Sequence, residues 1–342
     1  MNKVVKKVLG VGLAVAMVGG IFAACANGGT QTENASTAEG KTWKVGVAQL
    51  VQHPALDAAT NGFKEELTKL AEADGNKIEF VEENAAGDIP TCATITNGFA
   101  ADGVDLILAN PTPVLQAAAQ STTTIPIVAT AVTDFASALD IPEDKWTGAT
   151  GINVTGTSDL APLSEQAAMF KTLTPNAKKV GIIYCSAEAN SVYQAKVVGE
   201  ELKKLGIEAK EFTAADTNDI ASVVQSACDT CDALYIPTDN TMAQATGTIE
   251  PIVSKANIPV IAGEEGICKG CGFATLSISY DAIGRNAGKM AYEILKDGKD
   301  PATMDIMIPT KDDVIFKYVP ERAKALGITV PDDYEELALD AE

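Results

Sequence analysis

The chain repeats itself, and the repeat restricts its fold more than any other feature. KVGVAQL (Lys44–Leu50) returns as KVGIIYC (Lys179–Cys185), DLILANPTP (Asp105–Pro113) as DALYIPTDN (Asp232–Asn240), and IPIVATAV (Ile125–Val132) as IPVIAGEE (Ile258–Glu265). The three echoes keep one order and nearly one offset, about 130 residues, which unrelated segments would not do. Within each copy, short β-branched runs alternate with stretches of helical period, the pattern of parallel βαβ units. In the first copy a helix is expected over about Pro54–Ala73, with Leu56, Phe63, Leu67 and Leu70 on one face. KIEFVEEN ends a strand at Asn84, a helix covers about Pro90–Ala101, and another begins at Thr112. One long Rossmann-like sheet is the alternative, but strands that restart in the same order predict two doubly wound parallel-sheet lobes.

Composition agrees. At 342 residues the chain is long enough for two domains, and with 46% hydrophobic but only 5% aromatic residues, Val, Ile, Leu and Ala must fill the core. Residues 1–24 read as a secretory signal peptide: Lys3, Lys6 and Lys7, an apolar stretch from Val8 to Phe22, then small residues before Cys25. A membrane anchor is the other reading, but four glycines interrupt the stretch. FAAC resembles a bacterial lipobox, which implies lipidation at Cys25, and the polar residues 25–41 then form a tether. The expected location is extracytoplasmic, lipid-anchored to the outer face of the cell membrane.

A formal net charge of −20, with no Lys/Arg cluster after the leader, argues against nucleic-acid binding. Two CxxC pairs, Cys228/Cys231 and Cys268/Cys271, suit local disulfides or free thiols. A four-thiolate zinc site is the sharper alternative, but the 36 residues between the pairs exceed a compact ribbon.

In doubly wound sheets ligands bind beyond the carboxyl ends of the strands. Those ends hold QLVQHPALD (Gln49–Asp57), ANPTPV (Ala109–Val114) and ATAVTD (Ala129–Asp134) in the first copy, and CSAEANS (Cys185–Ser191), IPTDNTM (Ile236–Met242) and AGEEG (Ala262–Gly266) in the second. Thr112 before Pro113 reads as a helix N-cap whose free amides would hold an anion, and Thr130 and Ala131 add a hydroxyl and an amide. Glu188, Asp239 and Glu264 offer carboxylates to an ammonium group. Gln49, Ser186, Asn190, Thr238 and Asn240 supply further polar contacts. The only histidine, His53, precedes Pro54 at the cleft mouth and has no second histidine or nucleophile motif as partner, so it reads as a side chain that packs on or hydrogen bonds to ligand. AEGKT (Ala38–Thr42) lacks the earlier glycine of a phosphate loop and precedes the first strand.

QLVQHPALDAATNGF, YIPTDNTM, AGEEG and ATLSISYDAIGRNAGKMA (Ala274–Ala291) together resemble the extracytoplasmic substrate-binding lipoproteins of ABC transporters that include tryptophan- and aromatic amino-acid-binding members. The resemblance implies a type I periplasmic binding protein fold: two lobes, three crossing strands and a hinge. Its lobes would be residues 42–156 plus 283–308 and 157–282 plus 309–342. It implies a monomer that needs no cofactor, is not an enzyme, and captures a small zwitterion, an aromatic amino acid, for an ABC permease in the membrane. By the same resemblance Thr112, Thr130 and Ala131 hold the ligand carboxylate, Asp239 and Glu264 the amine, and Tyr280 flanks the pocket. A sugar- or nucleoside-binding sensor of the same fold is the rival reading.

Overall fold

The computed structural model describes residues 40–339, so the expected signal peptide, tether and Cys25 lie outside the described residues. The first lobe contains β1 (Thr42–Gln49), α1 (Pro54–Ala73), β2 (Lys77–Asn84), α2 (Ile89–Asp102), β3 (Leu106–Asn110), α3 (Thr112–Ser121), β4 (Ile127–Val132), α4 (Phe135–Ala138) and β5 (Val154–Ser158). Then come α5 (Leu163–Leu173), β6 (Lys179–Cys185), α6 (Ala189–Lys204), β7 (Glu208–Ala214), α7 (Ile220–Cys228), β8 (Ala233–Ile236), α8 (Asn240–Gln244), α9 (Thr246–Ala256), β9 (Val260–Ala262), α10 (Glu265–Gly270) and β10 (Ala274–Ile278). The chain returns to the first lobe as α11 (Tyr280–Asp297). It ends in the second with β11 (Val314–Tyr318), α12 (Pro320–Leu326) and β12 (Glu335–Glu336).

The sheet orders are β2-β1-β3-β4-β5 and β12-β11-β10-β9-β8-β6-β7. All pairs are parallel except β10 with β11, so the second sheet carries one antiparallel pair that the repeat alone does not foretell. Strand alternation divides each lobe into two cores. Leu106 and Leu108 of β3 pack with Phe63 and Leu67 of α1, whereas Ile107 and Ala109 face Phe99, Val114 and Leu115. With helices on both faces, the central strands become near-continuous apolar runs. β2, at an edge, alternates between half-buried and exposed residues instead.

α11 lies against α1 at a contact made possible by glycine. A Cβ on Gly284 would sit 2.1 Å from the carbonyl oxygen of Ala59, and one on Gly288 2.7 Å from that of Phe63. The chain passes between the lobes after β5, between β10 and α11, and ahead of β11, with Thr157 bridging Met307 at the crossing. The carboxyl ends of both sheets therefore meet across one cleft.

Candidate functional site

β1 ends at Gln49, and His53 occupies the N-cap position of α1 with Pro54 next. Its ring reaches the second lobe, where Nε2 lies 3.2 Å from Oδ1 of Asn240. Asn240 opens α8, and its side-chain amide and backbone N–H both donate to Oε2 of Glu188, at 2.6 and 3.1 Å. The backbone N–H and hydroxyl of Thr241 donate to Oε1 at 2.9 and 2.7 Å, and Asn190 donates to Oε2 at 3.2 Å. Glu188 is thus saturated by five donors of its own lobe.

Asp239 caps α8. Oδ1 accepts from the Met242 amide at 2.8 Å and Oδ2 from the Cys185 amide at 2.7 Å. Burial, and after it the charge of Glu188, pushes its carboxyl well above the ordinary range. Glu264 caps α10 through the amides of Gly266 (2.6 Å) and Ile267. Burial raises its carboxyl too, against the opposing pull of His53.

From the first lobe, α3 brings Thr112. The cap position is Pro111 rather than Thr112, and Pro113 is the second helical residue, because the turn begins one residue earlier than the Thr-Pro pair suggests. The Thr112 hydroxyl is consequently free of capping duty, buried and without a partner. The end of β4 carries a register shift between Ala129 and Val132, and Ala131 is left-handed with φ 54°. A bulge of this kind re-aims the chain. Thr130 accepts a hydrogen bond from the Thr157 hydroxyl at 2.9 Å.

Sequence reasoning missed one buried acid beside Tyr280. Asp159, just past β5, accepts from the hydroxyls of Tyr280 (2.9 Å) and Thr133 (3.1 Å). Burial pushes its carboxyl up to about 6 despite those two donors. Thr133 also accepts from Gln194 of α6 at 3.3 Å, and Gln194 donates to the Thr238 carbonyl while accepting from the Thr238 amide. That makes a second bridge between the lobes beside His53 and Asn240.

Four carboxylates therefore lie around one cleft: Glu188 (0% exposed), Asp239 (1%), Glu264 (2%) and Asp159 (4%). None belongs to any ion pair found among the described residues, where Lys and Arg pair with carboxylates elsewhere. Buried charges are ordinarily paired. A groove of about 270 Å³, lined by Pro54, Ala58, Glu264, Lys269, Tyr280 and Ile315 among others, reaches this region from solvent.

Residues 44–341 match the family model of the ABC transporter substrate binding proteins. The chain belongs to that family. This substrate-binding protein is 36% identical over 296 residues to the tyrosine-binding protein of Clostridioides difficile (strain R20291), covering 86% of this chain and 84% of that one. Among solved structures it is similar to the ABC domain in complex with L-Trp from Streptococcus pneumoniae, with 31% identity, TM-score 0.79, and 87% and 100% of the two chains covered. It is also similar to the ligand-free, open structure of a substrate binding protein with adhesive properties from Clostridium difficile, with 34% identity, TM-score 0.64, and 87% and 100% covered. The fold is that of type I periplasmic binding proteins. In the present structure the lobes touch, through the bridges from His53 to Asn240 and from Gln194 to Thr133.

Of the expected residues, His53 meets Asn240 across the lobes, Glu188, Asn190 and Asp239 surround the start of α8, Glu264 caps α10, Thr112 starts α3, Thr130 and Ala131 end β4, Thr238 bonds Gln194, and Tyr280 bonds Asp159. Two further expected residues bond within their own lobes. Gln49 ties β1 to α1, donating to Asp57 (2.7 Å) and the Val51 carbonyl (2.8 Å) and accepting from Thr60 (2.6 Å). Ser186 is exposed and donates to the Ala214 carbonyl at 3.3 Å. The four CxxC cysteines are buried free thiols within one core of the second lobe. Burial raises their thiols, to about 11 for Cys228 and about 12 for Cys271. Among the described residues no helix is long and apolar enough to cross a membrane, and no group of three or more His, Cys, Asp or Glu could hold a metal ion. Family members of this kind act outside the cytoplasm with an ABC permease.

Proposed function

We propose that this substrate-binding protein captures a free aromatic amino acid between its lobes and hands it to its permease, without catalysing any reaction. The observation that carries the reading is the set of four buried acids without a Lys or Arg partner, together with a buried, unpartnered Thr112 hydroxyl at the start of α3 in the first lobe. One wall calls for a cation and the other for an anion, and an amino acid carries both. Asp159 takes the ammonium, aided by Tyr280 and Glu264, since Asp239 is pinned by two backbone amides and Glu188 by five donors. Thr112, Thr130 and the Ala131 segment take the carboxylate. Aromatic specificity rests on the relatives, one named for tyrosine and one solved with L-Trp. By the lipobox-like FAAC, the exported protein is tethered to the membrane through Cys25, and it works as a monomer.

Calorimetric titration with tyrosine and tryptophan, each also as the N-acetyl and the carboxamide derivative, tests the reading. Both free amino acids should bind and both blocked series should fail. Binding that survives N-acetylation, or a preference for sugars or nucleosides over every amino acid, would end it.

A further inference from the structure

Glu188 does more than terminate a helix. An amide that gives its NH2 group to a carboxylate must turn its carbonyl the other way, and the Asn240 amide donates to Glu188 Oε2 at 2.6 Å. The carbonyl oxygen of Asn240 is then the atom 3.2 Å from His53 Nε2. A carbonyl oxygen only accepts, so the hydrogen of the neutral imidazole sits on Nε2 and Nδ1 is left as a bare acceptor. His53 is 8% exposed, and its Nδ1 has no partner. The same Glu188 oxygen accepts from Nδ2 of Asn190, which is 5% exposed and whose Oδ1 is likewise unpartnered. Glu188 thus orients Asn240 and, together with the Thr238 carbonyl that accepts from Asn190 Nδ2 at 2.9 Å, Asn190; His53 and Asn190 each present an unused acceptor.

We infer that Glu188, acting through Asn240 and Asn190, holds His53 Nδ1 and Asn190 Oδ1 as hydrogen-bond acceptors for a donor on the ligand's ring, an indole N–H or a phenol O–H. The inference rests on the amino-acid reading above and narrows it to tryptophan and tyrosine over phenylalanine. An ammonium group is also a donor, but every amino acid carries one, so phenylalanine separates the two sources. A buried acceptor left unpaired by the ring rejects the analogue that lacks the donor. Asn240 and Glu188 are positioning residues, and His53 and Asn190 make the contact.

The single histidine makes the test unambiguous. In mature protein labelled with 15N-histidine, followed over a pH series to the neutral form of the ring, Nε2 should resonate as a protonated and Nδ1 as an unprotonated nitrogen. Asn240→Ala should relax this toward the tautomer mixture of free imidazole. A wild-type ring protonated at Nδ1 would overturn the relay without reference to any ligand. Titrations with tyrosine, tryptophan and phenylalanine should then show the first two binding at least about tenfold tighter than the third, an advantage that His53→Ala abolishes. Equal affinity for phenylalanine, or equal weakening of all three by His53→Ala, would overturn the ring donor. Failure of all three to bind, with the tautomer as stated, would sink the amino-acid reading and the ring donor together while the relay stands.

Discussion

At the scale of single residues, Asp159 and Asp239 show how two buried aspartates in one cleft differ in use. Asp239 is held by two backbone amides and serves the start of α8, whereas Asp159 is met only by hydroxyls and stays available to a cation. Folding raises the Asp159 carboxyl from 3.8 to about 6, so the native state binds its proton more tightly than the unfolded chain does. Stability is therefore lost as pH rises from about 4 to about 6, on the order of 3 kcal/mol in all, and the loss persists above that range. Asp159→Asn removes the charge in nearly the same shape. At neutral pH it should raise ligand-free stability in urea denaturation by ~1 to 3 kcal/mol while weakening tyrosine or tryptophan at least about a hundredfold. Unchanged affinity would remove Asp159 from the ammonium site. The wild-type pH profile carries the same information. An ammonium ligand needs the ionised carboxylate, so affinity should be flat above about pH 6 and fall about tenfold per unit below it. Calorimetry in buffers of differing ionisation enthalpy should show a proton released on binding below pH 6 and none above; a flat profile through pH 5 would contradict the assignment.

At the scale of elements, the pairing of α1 with α11 joins packing to function, because α1 starts beside His53 and α11 starts with Tyr280. Gly284→Ala would drive a methyl group against the Ala59 carbonyl, 2.1 Å away, and the helices must part. Overpacking of this kind costs about 1 to 3 kcal/mol, so the variant should melt at lower temperature and bind ligand more weakly, since both cleft residues move with their helices. An unaltered melting temperature would show that the interface gives way freely. How legible these elements are follows from their chemistry. The 3.6-residue stripe of Leu56, Phe63 and Leu67, with Pro54 at the start, reveals α1 from Pro54 to Ala73 in the sequence as in the structure. β5 is hidden because its sequence is VTGTS, with one apolar residue in a fully buried strand, and Asp159 behind it is hidden with it. Treating the segment just ahead of Asp159 as another strand end would have found it. For Asp239 and Glu264 the ambiguity is physical: the carboxylates that cap helices are the carboxylates that bind ammonium groups, and only the hydrogen-bond partners tell the two uses apart. The same limit applies to Thr112, whose hydroxyl is free because Pro111 holds the cap position and Thr112 is the first helical residue.

For the whole molecule, the closed arrangement concentrates negative charge. Shutting the lobes buries Asp159, placed at a crossing, with Glu264 and the Glu188–Asp239 pair of the second lobe; burial raises the cost of ionising Asp159, Asp239 and Glu264, and Glu264 adds to it at Asp159 as Glu188 does at Asp239. No Lys or Arg within the set offsets this, and a chain of net charge −20 offers little relief at longer range. The hydrogen bonds that hold the lobes together are few and polar: His53 to Asn240 and Gln194 to Thr133. Closure is thus opposed by the acids and favoured by a guest with an ammonium group, which binds the closed form better and shifts the population toward it by that difference alone. At neutral pH in solution, the ligand-free protein should therefore show a larger radius of gyration by small-angle scattering than the protein saturated with tyrosine or tryptophan, and only the saturated sample should fit the closed coordinates. Protonation substitutes in part for the guest. Lowering the pH through about 6 neutralises Asp159 and should narrow the difference between the two samples. Raising the salt concentration should narrow it less, because buried charges are screened less than exposed ones. Identical radii with and without ligand at neutral pH would mean that the acids do not govern closure, and the pairing of a charged guest with lobe motion would have to be abandoned.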